Sequence, residues 1–238
     1  MTTPTDTPHI LRSNDQEQQR LHNEIQRMGA MAAAQIDAAI DVVHRRDDKA
    51  ADRVIANDDA IDELELQISN DVMRLALRGP LAGDLRVILA ALRIASDIER
   101  VGDYAANLAK RSKSLNQVPP MPHTHGLDAL ARLASQLVRD ALRAYDTLDV
   151  ELAEQVRERD GELDQLHTSL FRELLTYMME DPRSITPCTH LLFMAKNLER
   201  IGDHATNIAE NVIFRVKGED KLPPRDKRDD TSTTSGVG

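Results

Sequence analysis

The sequence predicts an all-α protein built of two tandem, pseudo-symmetric antiparallel three-helix bundles. Three observations predict it. Apolar residues recur at steps of three and four along six separate stretches. Aromatics make up only 3% of the 238 residues and Trp is absent, whereas Ala, Leu, Arg, Asp and Glu dominate, a balance that suits helices with aliphatic cores. The string Asp97-Ile-Glu-Arg-Val-Gly-Asp103-Tyr-Ala-Ala-Asn107 also returns as Asn197-Leu-Glu-Arg-Ile-Gly-Asp203-His-Ala-Thr-Asn207. Glu, Arg, Gly, Asp, Ala and Asn keep their order and spacing, so the chain carries a duplicated unit.

The elements follow in chain order. Residues 1–13 lack apolar periodicity and read as a flexible N-terminal arm. The first bundle spans 14–113. Its first helix places Leu21, Ile25, Met28, Ala32, Ile36, Ile40 and Val43 on one stripe, and the charged run Arg45–Lys49 turns the chain, with Asp47 or Asp48 as the next N-cap. The second helix carries Ile61, Leu64, Ile68, Val72 and Leu75 and stops at Gly79-Pro80. The third starts near Asp84, keeps Val87, Ala91, Ile94, Ile98, Val101, Ala105 and Leu108 in its seam, and closes in Lys110–Lys113, where positive charge suits a helix C-terminus. Residues 114–126, with Pro119, Pro120, Pro122 and Gly126, form the linker.

The second bundle spans 127–217 and repeats the plan. Its helices run from about Leu127 to Thr147, Glu151 to Met179 and Thr186 to Val216, broken at Asp181-Pro182. The last keeps Leu191, Met194, Leu198, Ile201, Ala205, Ile208 and Val212, matching the third helix in register. Residues 218–238 are charged, then rich in Thr, Ser and Gly, and read as a disordered tail.

Composition narrows function. Forty acidic against thirty basic residues give a formal charge of −10, which disfavours nucleic acid as a partner. The single cysteine, Cys188, excludes an internal disulfide framework and fits a reducing compartment. No signal-like or membrane-length apolar run occurs, so the expectation is a cytoplasmic protein whose membrane association is indirect or peripheral.

On a helix, Glu99, Asp103 and Asn107 fall on successive turns of one face, as do Glu199, Asp203 and Asn207. At about 100° per residue they lie roughly 130–210° from the apolar seam, so they are expected to point outward. A second duplicated pair, Asp58/Asp62 and Asp160/Asp164, sits on the flank of the preceding helix in each bundle. Each bundle then offers four carboxylates across a groove. Such a cluster raises pKa values unless a cation neutralises it. Metal ions are one solution, since hard cations take several carboxylate oxygens and iron or manganese accept the same set. A salt-bridged, solvated face is the other, with Arg100 and Arg200 beside the Glu residues and Arg86, Arg93 and Arg100 at heptad spacing. Gly102 and Gly202 cost about 1 kcal/mol each in a helix interior, which calls for close approach of a neighbouring helix or of a bound ion.

Other constellations are weaker. Asp41/His44 and Asp164/His167 resemble a carboxylate-x-x-His step but lie on non-equivalent helices. The Asp203-His204 pair exists in one copy only, with Tyr104 as its counterpart, and His123 and His125 fall in the linker. No phosphate loop or nucleophile elbow is present, so catalytic residues are not expected.

The duplicated Glu-Arg-x-Gly-Asp-x-Ala-x-Asn, joined to the duplicated Asp-x-x-x-Asp and the run Gly79-Pro-Leu-Ala-Gly-Asp-Leu-Arg86, resembles the PhoU family over residues 15–217. The resemblance implies a cytoplasmic, dimeric, non-enzymatic regulator of phosphate uptake that represses phosphate-starvation signalling when phosphate is plentiful. It implies contacts with the ATPase of the phosphate ABC transporter and with a sensor histidine kinase. It also implies metal clusters of iron, zinc, manganese or magnesium, held by Asp58, Asp62, Glu99 and Asp103 in one bundle and by Asp160, Asp164, Glu199 and Asp203 in the other. Asn107 and Asn207 match the motif as softer ligands. Asp84 and Arg86 face Ser184 and Thr186 in the alignment, so the bundles need not play equal roles. A metal-dependent carboxylate-bundle enzyme, a phosphate-handling hydrolase and a ligand-free helical scaffold are the alternatives.

Overall fold

A computed structural model describes residues 7–79, 82–119 and 125–218. Six α-helices make up nearly all of it: α1 Thr7–Arg45, α2 Asp48–Ala76, α3 Ala82–Leu115, α4 His125–Thr147, α5 Val150–Glu180 and α6 Ile185–Lys217. A short 3₁₀ turn, Pro182–Ser184, stands between α5 and α6, and no strand occurs among the described residues. The two-bundle, all-α architecture is as expected.

Local chemistry starts and stops these helices. Asp47 caps α2 by accepting from the backbone N–H groups of Lys49 and Ala50, both at 3.0 Å, and those bonds hold its carboxyl below the usual range, the Ala50 bond most. Asp149 caps α5 in the same way through Leu152 N–H at 3.0 Å. The residue before each cap, Arg46 or Leu148, sits at φ 55°, so the α1–α2 and α4–α5 corners are one turn made twice. Gly218 ends α6 at φ 77°, its N–H returning to Phe214 O at 2.9 Å.

Two expected boundaries differ. Helix α1 already begins at Thr7, within the stretch read as an arm, and farther along it Glu17 and Gln18 bond to Arg78 and Asp84 at 2.6 and 2.9 Å. Helix α4 begins at His125, within the stretch read as linker. Residues 1–6, Pro80, Leu81, 120–124 with His123, and the tail from 219 lie outside the described residues.

The apolar stripes bury as predicted at Leu21, Ile25, Met28 and Ile36 of α1, Ile61 and Ile68 of α2, Ile94 and Ile98 of α3, and Ile201 and Ile208 of α6, joined by Leu130, Leu137 and Leu163, whereas Val87 of the α3 seam is only half-buried. Each such side chain contributes about 1.5–3 kcal/mol by leaving water. These stripes form one continuous core, because α3 and α6 pack against each other along their lengths. They run antiparallel. Arg93 lies over Phe214 at 5.0 Å, Asp97 meets Asn207 at 3.1 Å, Arg200 lies over Tyr104 at 5.6 Å and Arg111 over Phe193 at 4.0 Å. The two copies of the repeated string are thus set back to back on the central helix pair.

Candidate functional site

Each repeated string has two working sides. One side of α3, carrying Asp97 and Tyr104, faces α6. Asp97 Oδ1 accepts from Asn207 Nδ2 and lies 2.8 Å from His204 Nδ1, whose ring sits 5.6 Å from that of Tyr104. Asn207 and His204 therefore serve the seam between the bundles. That corrects the reading of Asn207 as part of the acid ladder. The geometry needed to see it is the placement of α3 against α6, which no periodicity within one helix contains.

The other side carries the acids. Gly102 lets α2 approach α3: a Cβ there would lie 3.0 Å from Ile61 Cδ1 and 3.2 Å from Asp58 Oδ1. Gly202 does the same for α5, since its Cβ would run into Leu163 Cδ2 and lie 3.5 Å from Asp160 Oδ1. Close helix approach accounts for both glycines, and each places an aspartate of the preceding helix beside the repeated string.

In the first bundle the structure gathers Asp58, Asp62, Glu99 and Asp103. Asp58 is 8% exposed and accepts from Gln35 Nε2 at 2.8 Å, while the same amide reaches Gly102 O at 3.2 Å. Gln35 is a partner that the α1 apolar pattern does not single out. Burial, reinforced by the charges of Asp103 and Asp62, pushes the Asp58 carboxyl up to about 6. Glu99 is raised by burial and then by Asp103, and Asp62 by desolvation and then by Asp103. The charges of Asp103 and Asp62 thus bear on Asp58 and Glu99 alike. Arg100 partly offsets them, 3.4 Å from Glu99 Oε2 and 3.1 Å from Asp103 Oδ2. That cation is 54% exposed, so the pair is a surface one of about 0–1 kcal/mol.

In the second bundle Asp160 is 4%, Asp164 5% and Glu199 6% exposed. The expectation of an outward-facing ladder of Glu199, Asp203 and Asn207 fails at Glu199, which is buried, whereas Asp203 and Asn207 are half-buried. His167, on the same face of α5, is also buried at 3%. On the same flank of α5 Thr168 is buried, while its counterpart Leu66 on α2 is 60% exposed. Lys196 Nζ meets Glu199 Oε1 at 2.8 Å. Arg200, the counterpart of Arg100, lies over the Tyr104 ring instead. At the position of Gln35 the register that equates the caps Asp47 and Asp149 puts Leu137.

The remaining sequence candidates disperse. Asp41 pairs with Arg45 at 2.8 Å, and His44 lies 3.3 Å from Asp128, so they form no carboxylate-x-x-His step. The proposed basic stripe divides: Arg93 goes to Phe214, Arg86 packs on Gly218, and only Arg100 serves the acids. Asp84 accepts from Gln18. Cys188 is a buried core thiol.

Among the described residues, no group of three or more His, Cys, Asp or Glu stands ready to hold a metal ion with its side chains as placed. The first face fits a hard cation by its donor chemistry: four carboxylates from adjacent helix turns, three of them raised by burial and mutual repulsion.

Comparison with known proteins agrees with the two-bundle fold. The family model described as PhoU domain matches residues 25–112 and 127–212, one match per bundle. The chain is 65% identical, over 95% of its length and 96% of the relative's, to the phosphate-specific transport system accessory protein PhoU homolog of Xylella fastidiosa (strain 9a5c). It is 45% identical, over 96% and 98%, to the same-named homolog of Rhizobium meliloti (strain 1021). The crystal structure of PhoU from Pseudomonas aeruginosa superposes with a TM-score of 0.84 at 33% identity, covering 86% of this chain and 99% of that one. From residues 25 to 212, in sequence and in fold, this chain belongs to the PhoU family.

Proposed function

We propose that the protein is a non-enzymatic accessory regulator of phosphate transport, with metal held on an acidic bundle face as part of its working form. The observation that carries this is the duplicated acidic string, brought in each bundle against the Asp-x-x-x-Asp of the preceding helix. The relatives' printed names, phosphate-specific transport system accessory proteins, support the transport role. In this reading the protein works in the cytoplasm as a homodimer and represses the starvation response when phosphate is plentiful. It does so by contacting the ATPase of the phosphate ABC transporter and a sensor histidine kinase. Membrane proximity then comes through partners; no described helix is long and apolar enough to cross a bilayer. Iron, zinc, manganese and magnesium all suit an oxygen donor set, with Asp58, Asp62, Glu99 and Asp103 as the first-face ligands.

A phosphate-starvation reporter in a strain lacking the gene tests the reading. Reporter output at high phosphate is expected to rise on deletion and to fall again with the wild-type gene, but not with Glu99→Gln/Asp103→Asn. Unchanged output on deletion would overturn the regulatory role. Full repression by the double variant would overturn the role of the acidic face.

A ligand-free scaffold is the second reading, and the bridging of Glu99 and Asp103 by Arg100 favours it. A ligand that binds only the folded protein raises its unfolding midpoint, so an unmoved midpoint at saturating manganese would select the scaffold.

A further inference from the structure

The two bundles meet along α3 and α6 and again along α1 and α4, and at one end of the second contact they leave a cavity. It encloses about 160 Å³ and is lined from both bundles, by the last turns of α1 and α3 on one side and the first turns of α4 and α6 on the other. A cavity of about 150 Å³ takes a molecule the size of benzene, and small ligands are held preferentially where structural units meet. Leu127 and Leu191, 5% and 4% exposed, make its apolar floor together with Leu115.

Three charged side chains line it as well. His44 Nε2 lies 3.3 Å from Asp128 Oδ1 across the boundary between the bundles, and the His44 side chain is 49% exposed, which sets this pair at the mouth. Arg46 is fixed in the same wall: its Nη2 donates to Leu115 O at 2.9 Å and to Val118 O at 2.5 Å.

This set of groups selects a ligand class. A simple anion would meet Asp128, and a simple cation would meet Arg46. A wholly apolar molecule would strip water from the charged rim and give nothing back. A zwitterion satisfies both signs, with an ammonium donating to Asp128 and a carboxylate accepting from His44 and Arg46 in charge-assisted hydrogen bonds. In an α-amino acid the two charged groups hang from one carbon, a spacing suited to neighbours as close as His44 and Asp128. The leucine floor then takes an aliphatic side chain out of water.

We propose that this cavity binds an aliphatic α-amino acid, which ties the two bundles together when bound. Its lining shares no residue with the acidic strings, so the proposal stands apart from the metal reading.

Isothermal titration and thermal unfolding of the full-length protein with L-leucine test this. Leucine is expected to bind once per chain and, about tenfold above its Kd, to raise the unfolding midpoint by about 3–6 °C. 4-Methylpentanoate, which lacks the amine, and isopentylamine, which lacks the carboxylate, are expected to bind at least about tenfold more weakly. Asp128→Asn and His44→Gln, both at partly exposed positions, are expected to keep the helical fold and each to weaken leucine binding by about tenfold or more. Neither heat nor a midpoint shift with leucine would overturn the proposal. Undiminished binding in both variants would overturn it too, since leucine would then sit elsewhere. Equal affinity for 4-methylpentanoate or isopentylamine would overturn the assignment to an amino acid.

Discussion

Asp62 stands at the surface of the first bundle, whereas its counterpart Asp164 is 5% exposed; Glu99 has a 22% exposed side chain, against 7% for Glu199. The same motif thus makes a half-open face once and a closed one once. The backbone plan is common to both: the same corner at φ 55°, the same aspartate cap and the same glycine beside an aspartate. The difference lies in a few flanking side chains. Ser96 stands against Lys196, Leu66 against Thr168 and Gln35 against Leu137. Duplication preserved the scaffold, and flank substitutions gave the halves different electrostatics.

The contrast is broken most forcefully at the glycines. Gly202→Ala pushes a methyl into Leu163, a core side chain at 0% exposure, and is expected to lower stability by about 1–3 kcal/mol. Gly102→Ala meets Ile61 Cδ1 at 3.0 Å, a flexible end that needs to give only slightly, and the gain in helix propensity of about 1 kcal/mol offsets most of that strain. Urea unfolding of both variants checks this; equal losses would mean that the two faces are packed alike.

Asp58→Asn probes the half-open face at a middle scale. In metal-free protein the folded-state value near 6 lies above the ordinary 3.8, so the folded protein keeps a proton that the unfolded chain releases. The contribution of Asp58 to wild-type stability is accordingly full below about pH 4, falls between about pH 4 and 6, and stays reduced above that. The variant lacks this loss and is expected to be more stable than wild type by about 1–2 kcal/mol at pH 7.5, with no difference below about pH 4. Unfolding midpoints across that range decide it, and a variant less stable at pH 7.5 would show that the Gln35 bond to the carboxylate outweighs its burial.

The smallest effect is at Arg100. As an exposed partner of Glu99 and Asp103, it is expected to change stability by less than about 0.5 kcal/mol when replaced by Ala. A loss of several times that amount would place it among the groups that hold the face together.

Much of this was legible in the chain itself. Apolar steps of three and four located all six helices, because burial of one stripe is what a helix in a bundle must do. The repeated acids were legible as a site because four carboxylates at helical spacing are chemically conspicuous. Helix direction was not enough to say that Glu199 is buried: the angle of a residue on its own helix carries no information on what covers its flank. Asp97 with His204 and Asn207 was hidden for a related reason, since that contact depends on how α3 meets α6. The early start of α1 escaped because residues 1–13 show no apolar periodicity.

The most direct test of unequal faces is hydrogen exchange of the full chain with and without Mn²⁺, read peptide by peptide. Added protection is expected in peptides spanning Asp58–Asp62 and Glu99–Asn107, and absent from those spanning Asp160–Asp164 and Glu199–Asn207. Equal protection of both sets, or protection of the second alone, would contradict it.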